Sequence, residues 1–158
     1  MQALPAGLFK AYDIRGIVGK VLSVEITEAI GQALGSEAHR LQRQEIVVGR
    51  DGRHSGPELA AALIRGIRRS GINVIDIGRV TTPMSYFAAQ HLGCECAAMV
   101  TGSHNPPEYN GIKMVLAGIT LADEAIQQLR RRIENNDFTR GDGGRSEEHT
   151  SELQSRYV

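Results

Sequence analysis

The 158-residue chain has no tryptophan, 4% aromatic residues and two cysteines. Cys94 and Cys96 stand two apart with no further Cys or His pair at ligand spacing, so neither a disulfide framework nor a structural zinc site is available. Neighbours on one strand rarely reach disulfide geometry, so both are expected to be reduced, partly buried thiols. Net charge is missing too. Lys plus Arg and Asp plus Glu number 18 each, which excludes the broad basic field that draws proteins to nucleic acid or anionic membranes. Neither is expected as a partner. No run approaches the roughly 18 apolar residues of a membrane span, and MQALPAGLFKAYDIRG lacks a basic-then-apolar leader, so a cytoplasmic protein is expected. A Walker A run and GxGxxG are absent, which removes the usual nucleotide signatures. His39, His54, His91 and His149 are scattered without metal-ligand spacing.

What is present suits one globular domain: 41% hydrophobic and 23% charged residues. From Ser23 to about Arg43, Ile26, Ile30, Leu34, Ala38 and Leu41 recur three to four apart behind a candidate N-cap, which predicts an amphipathic helix. Ile46 to Val48 read as a short strand, followed by the turn-rich GRDGRHSG and a helix from Pro57 to near Gly71. The unit repeats: Ile72 to Ile77 is a β-branched strand, Thr81-Thr82-Pro83 opens a helix to about Gly93, and Cys96 to Val100 is another strand. Gly111 to Leu116 and Ile119 to Leu121 flank Ala117-Gly118 as a tight hairpin, and Ala122 to about Glu134 forms a last helix. Helix-sized crossovers between continuous apolar strands predict a three-layer α/β/α sandwich with a mostly parallel mixed sheet and an antiparallel edge hairpin.

After Asn136 the chain turns polar and Gly-rich. Residues 1–136 are expected to form the domain and 137–144 a linker. Residues 145–158 are expected to be a non-native or disordered tail, because RSEEHTSELQS has no apolar period and resembles the translation of a common sequencing-adapter oligonucleotide. Arg140-Gly141-Asp142 spells an adhesion tripeptide by chance, and GDGG at 141–144 has one carboxylate, too few for a Mg²⁺ site.

In α/β sheets ligands gather at the carboxyl ends of strands. The loop after Val100 reads TGSHNPPEYNGIK, in which Gly102 permits a tight turn before Ser103 and Pro106-Pro107 forbid helix and keep the chain extended. A serine presented this way is a nucleophile, a phosphorylation site or a turn residue. His104 can exchange a proton or a hydrogen bond, and Lys113 brings a cation nearby.

Thr101 to Lys113 resembles the phosphoserine loop of the α-D-phosphohexomutases of the bacterial phosphomannomutase/phosphoglucomutase type. AYDIRG at 11–16 and GRDGR at 49–53 resemble two further motifs of that family, in family order, and the likeness runs from about Phe9 to Asp137. The resemblance implies an isomerase in which phospho-Ser103 donates its phosphoryl group to a hexose 1- or 6-phosphate. It then recovers one from the hexose 1,6-bisphosphate intermediate. Ser103, Lys113, Arg15 and His104 are implied as catalytic and Tyr12 and Asn105 as substrate-binding. Arg50, Asp51 and Arg53 are implied to support the loop by charge-assisted hydrogen bonds or, in the case of Asp51, by turning the backbone. Mg²⁺ would bind one phosphate oxygen on Ser103. Family members have four domains, with the metal loop, sugar recognition and phosphate docking in domains II to IV. The present chain, resembling the first alone, is therefore expected to lack turnover. TGSHNPP followed by EYNGIK looks more like the mannose/glucose enzymes than the glucosamine branch. A non-catalytic phosphate-binding scaffold is the alternative.

Overall fold

A computed structural model describes residues 3–141 and 143–148. Asp142, His149 and the rest of the tail, 149–158, lie outside the described residues. The helices are α1 (Val24–Arg40), α2 (Gly56–Arg69), α3 (Thr82–His91) and α4 (Glu124–Glu134). The strands are β1 (Ile14–Ile17), β2 (Glu45–Arg50), β3 (Asn73–Arg79), β4 (Ala97–Val100), β5 (Tyr109–Leu116), β6 (Ile119–Thr120) and β7 (Ser146–Glu148). They build one sheet in the order β1-β5-β4-β2-β3-β7, with β6 added to β5. β4, β2, β3 and β7 run parallel, whereas β5 is antiparallel to β4, β1 and β6.

Alternation along the central strands sorts side chains to two faces. Ile46 and Val48 of β2, with Ala98 and Val100 of β4, pack under α1, α2 and α4, while Val47, Ala97 and Met99 pack under α3. The result is the expected three-layer sandwich. Ser23 caps α1, its Oγ accepting from Ile26 N–H at 3.1 Å. The β5–β6 hairpin turns through Ala117 and Gly118, both at positive φ. β1, which the sequence pattern left unassigned, shares that edge with β6 because the two pair with different ends of β5.

Past Asn136, the expected domain boundary, the chain keeps hydrogen bonds to the domain. Gly141 N–H donates to Arg69 C=O, Gly144 N–H to Arg68 C=O, and Arg145 N–H to Asn73 Oδ1. Ser146–Glu148 then pair with β3, all three residues exposed. The physical reason is that β3 otherwise ends the sheet, and its unpaired backbone groups accept an extended segment whatever its side chains.

Helices α1 and α2 meet at glycines. Gly31, Gly35 and Gly66 are all buried, and a methyl on Gly31 would stand 3.0 Å from Gly66 Cα. Backbone thus touches backbone, which only residues without a Cβ allow.

Helices α1 and α4 are tied by charge. Glu37, 7% exposed, accepts from Arg132 at 2.7 and 2.9 Å and from Arg40 at 2.8 and 3.0 Å. Burial alone would push the Glu37 carboxyl up, but the hydrogen bonds and charges of Arg132 and Arg40 outweigh it and hold it below its ordinary value of 4.5. Such a pairing stabilises the fold fully above pH 4.5 and is lost as pH falls through the lower folded value. Glu37→Ala leaves the largely buried Arg132 with only its longer contacts to Asp137, at 3.2 and 3.4 Å, and is expected to cost about 1.5–3 kcal/mol in urea unfolding at pH 7, the scale of a hydrogen bond to a charged group. Glu37→Gln is expected to flatten the fall of the urea midpoint below pH 4.5. An unchanged acid limb would show that the pair does not govern it.

Candidate functional site

The carboxyl ends of the neighbouring parallel strands β2 and β4 lie side by side, and each runs into a loop. Thr101 N–H donates to Gly111 C=O at 2.9 Å, which closes the neck of the loop between β4 and β5. Within it Ser103 is exposed and sits at φ 52°, the left-handed region. That conformation costs a non-glycine residue about 1–2 kcal/mol and so must be held by its surroundings.

The β2–α2 loop holds it. Asp51 Oδ2 accepts from Thr101 Oγ1 at 2.8 Å and Gly102 N–H at 3.1 Å, while Oδ1 accepts from Arg53 N–H at 3.2 Å. Thr101 Oγ1 in turn accepts from Ser103 N–H at 3.0 Å. The Arg53 guanidinium enters the loop and donates to four carbonyls: Pro106 at 2.6 Å, Asn105 at 2.7 Å, Ser103 at 3.1 Å and Tyr109 at 3.1 Å. It also lies 3.6 Å from the Asp51 carboxylate. A methyl on Gly102 would overlap this guanidinium, so the glycine is required by close approach. Asn105 Nδ2 and N–H both donate to Gly102 C=O. Four carbonyl dipoles therefore end on a partly buried cation, leaving the Ser103 hydroxyl without competing negative charge from them.

Cations stand on one face of the adjoining strands. Arg15 on β1 is in register with Gly111, and Lys113 is two residues further along β5, whereas Ile14 and Ile112 point into the core. Arg15 and Lys113 thus share the face opposite α1, α2 and α4, in a diagonal relation of roughly 7–8 Å. A cleft of about 380 Å³ joins Arg15, Asn105, Tyr109 and Lys10. Lys10 was not singled out from the sequence; it precedes a turn closed by its own N–H to Asp13 C=O. Tyr12 (73% exposed) and His104 project into solvent outside that cleft. Arg50 ends β2 beside Gly56 at the start of α2.

Two other candidates are quiet. Cys94 and Cys96 are free, and burial pushes both thiols up, which disfavours the reactive thiolate. The described residues contain no group of three or more His, Cys, Asp or Glu able to hold a metal. Asp51, the carboxylate nearest Ser103 in the network, spends both oxygens on the loop. The described residues alone do not make a Mg²⁺ site.

Residues 6–140 match the family described as phosphoglucomutase/phosphomannomutase, alpha/beta/alpha domain I. The chain is 54% identical over 140 residues to a phosphomannomutase/phosphoglucomutase of Pseudomonas aeruginosa, covering 89% of this chain and 30% of that protein. It is 50% identical over 142 residues to a phosphoglucomutase of Neisseria gonorrhoeae, covering 90% and 31%. A crystal structure of a phosphoglucomutase/phosphomannomutase family protein from Burkholderia thailandensis superimposes with a TM-score of 0.90 at 43% identity, over 97% of this chain and 35% of that one. The chain thus spans about 30% of the length of the curated relatives it matches. Motif, sheet order and match coincide: the chain belongs to the phosphoglucomutase/phosphomannomutase family and carries its α/β/α domain I.

Proposed function

We propose that this domain supplies the phosphoserine of an enzyme that interconverts hexose 1-phosphate and hexose 6-phosphate, with mannose or glucose as the sugar. The observation that carries the reading is the exposed Ser103 on a loop held by Asp51 and Arg53. Phospho-Ser103 would pass its phosphoryl group to the free hydroxyl of the sugar phosphate, breaking the Ser Oγ–P bond and forming a sugar O–P bond. After the bisphosphate reorients, the serine oxygen takes back the other phosphoryl group, so the net change is migration of phosphate.

A phosphoserine carries a charge of about −1.5 to −2, and phosphoryl transfer is catalysed mainly by positioning and by neutralising oxygen charge. Arg15 supplies a fixed cation, and Lys113 is placed to neutralise charge or to exchange a proton with the reacting hydroxyl. His104 and Asn105 would contact phosphate, and Tyr12, exposed outside the cleft at Arg15, would line a substrate cleft completed by the rest of a family-length protein. Asp51 and Arg53 keep the loop in shape, and Arg50 supports the start of α2. One phosphate oxygen would serve Mg²⁺, with its other ligands coming from the part of the relatives that this chain does not match.

No described helix is long and apolar enough to cross a membrane, and a cytoplasmic site of action fits phosphorylated sugars, which stay in the cytoplasm for want of membrane permeability. A family-length protein carrying residues 6–140 is expected to convert glucose 1-phosphate into glucose 6-phosphate. The 158-residue chain by itself is expected to show no turnover in the same coupled assay. Turnover by the short chain at enzyme-like rates would refute the assignment of sugar contacts to the rest of the relatives.

A further inference from the structure

We propose that Ser55 and Asn110 are positioning residues for phosphoryl transfer: their hydrogen bond ties the strand bearing Lys113 to the same short segment that holds the loop bearing Ser103. The inference rests on the reading of Ser103 as the phosphoserine.

Along Asp51-Gly52-Arg53-His54-Ser55, residues 51, 53 and 55 are partly buried and 52 and 54 exposed. Each of the three inward residues grips a different part of the Ser103 loop. Asp51 takes the side leaving β4 and Arg53 the middle. Ser55 takes the return side, its Oγ accepting from Asn110 Nδ2 at 2.9 Å.

Asn110 is the second residue of β5 and is fully buried. Its Oδ1 accepts from the Gly111 N–H at 2.9 Å, so both ends of the amide are engaged and its orientation is set. Ser55 makes no side-chain cap for α2 although it occupies the N-cap position. Its backbone is helical there (φ −76°, ψ −12°) and not extended as in a capping serine, and its hydroxyl meets Asn110.

The consequence is geometric. Lys113 lies three residues beyond Asn110 on a strand whose intervening residues pair with β1 or β4, and Ser103 lies on a loop referenced to Asp51 and Arg53. Both reacting partners are therefore indexed to one five-residue segment, and misplacement by about 1 Å from such a change costs on the order of 10²-fold in rate.

The test uses the family-length enzyme at a temperature well below the unfolding midpoint of every variant. Asn110→Ala and Ser55→Ala are each expected to lower kcat 10- to 100-fold, the range below that misplacement cost, with KM for glucose 1-phosphate changed less than about threefold. The double variant is expected to be no slower than Asn110→Ala, since the one bond that Ser55→Ala removes is already lost there, along with that from the Gly111 N–H. Ser55→Thr, which keeps the hydroxyl, is expected to retain the rate. A general loss of stability would lower the fraction of active enzyme without this pattern of rescue and non-additivity. If Asn110→Ala fails to fold, Ser55→Ala alone removes the same bond. An unchanged kcat in Ser55→Ala while Ser103→Ala is inactive overturns the positioning proposal and leaves the phosphoserine reading standing. Full activity of Ser103→Ala overturns that reading itself.

Discussion

Ser103→Ala in a family-length protein is expected to lower kcat by roughly 10⁴-fold or more, the scale seen when a covalent nucleophile is removed, while the domain folds as before. Ser103 is exposed, and its backbone makes two hydrogen bonds: the N–H to Thr101 Oγ1 and the C=O to Arg53 Nη2. Alanine keeps both bonds and removes only the oxygen that would carry the phosphoryl group. Alanine also bears the left-handed backbone no worse than serine by steric volume, so the thermal midpoint is expected to move little. A variant that loses both rate and folding would mean that the hydroxyl has a structural task unseen in the loop. A variant with undiminished kcat would remove Ser103 from the chemistry.

Gly66→Ala is expected to have the largest effect on folding. A methyl there would stand 2.9 Å from Gln32 N and closer still to Glu28 C=O, both backbone atoms of α1. Backbone within a packed helix has no rotamer to yield, so α1 and α2 must separate, and neighbouring core contacts open with them. Overpacking a core costs about 1–3 kcal/mol and occasionally more, and the backbone contact places this site at or above the upper end. Urea unfolding followed by circular dichroism checks it. A loss under about 1 kcal/mol, below that overpacking range, would mean that the helices slide apart cheaply and that the glycines are incidental. Gly19, by contrast, has nothing within 4 Å of its added methyl; its φ of +84° is the sole constraint there.

The sandwich was legible because its signals are local. The three-to-four spacing from Ile26 to Leu41, the β-branched INVIDI run and the Ala117-Gly118 turn each specify an element without reference to the rest of the chain. β1 escaped because Ile14-Arg15-Gly16-Ile17 is short, contains a glycine and acquires strand geometry only by pairing with β5. Gly31-x-x-x-Gly35 lies in an apolar helical pattern, where its glycines read as weak helix formers; their use appears only with Gly66 opposite. Glu37 is one carboxylate among many in the sequence, and its burial follows from Arg132, 95 positions away.

At the site, the loop itself was visible from Gly102, Ser103 and the two prolines. Its support was harder to read, because GRDGR alone is a common turn-like string. What gives it meaning is non-local: Arg53 reaches carbonyls 50 to 56 positions onward, and Ser55 meets Asn110 at a separation of 55. An alternating i/i+2 pattern of polar residues after a buried strand is the sequence signal that would have pointed to it.

The central claim is that Ser103 carries the phosphoryl group. The most direct measurement is phosphopeptide mapping of the family-length protein after equilibration with hexose 1,6-bisphosphate, alongside Ser103→Ala. One phosphoryl group on the peptide spanning Thr101 to Lys113, assigned by fragmentation to Ser103 and absent from the alanine variant, is the expected result. Phosphate on another residue, or none on a protein that is turning over substrate, would contradict the account.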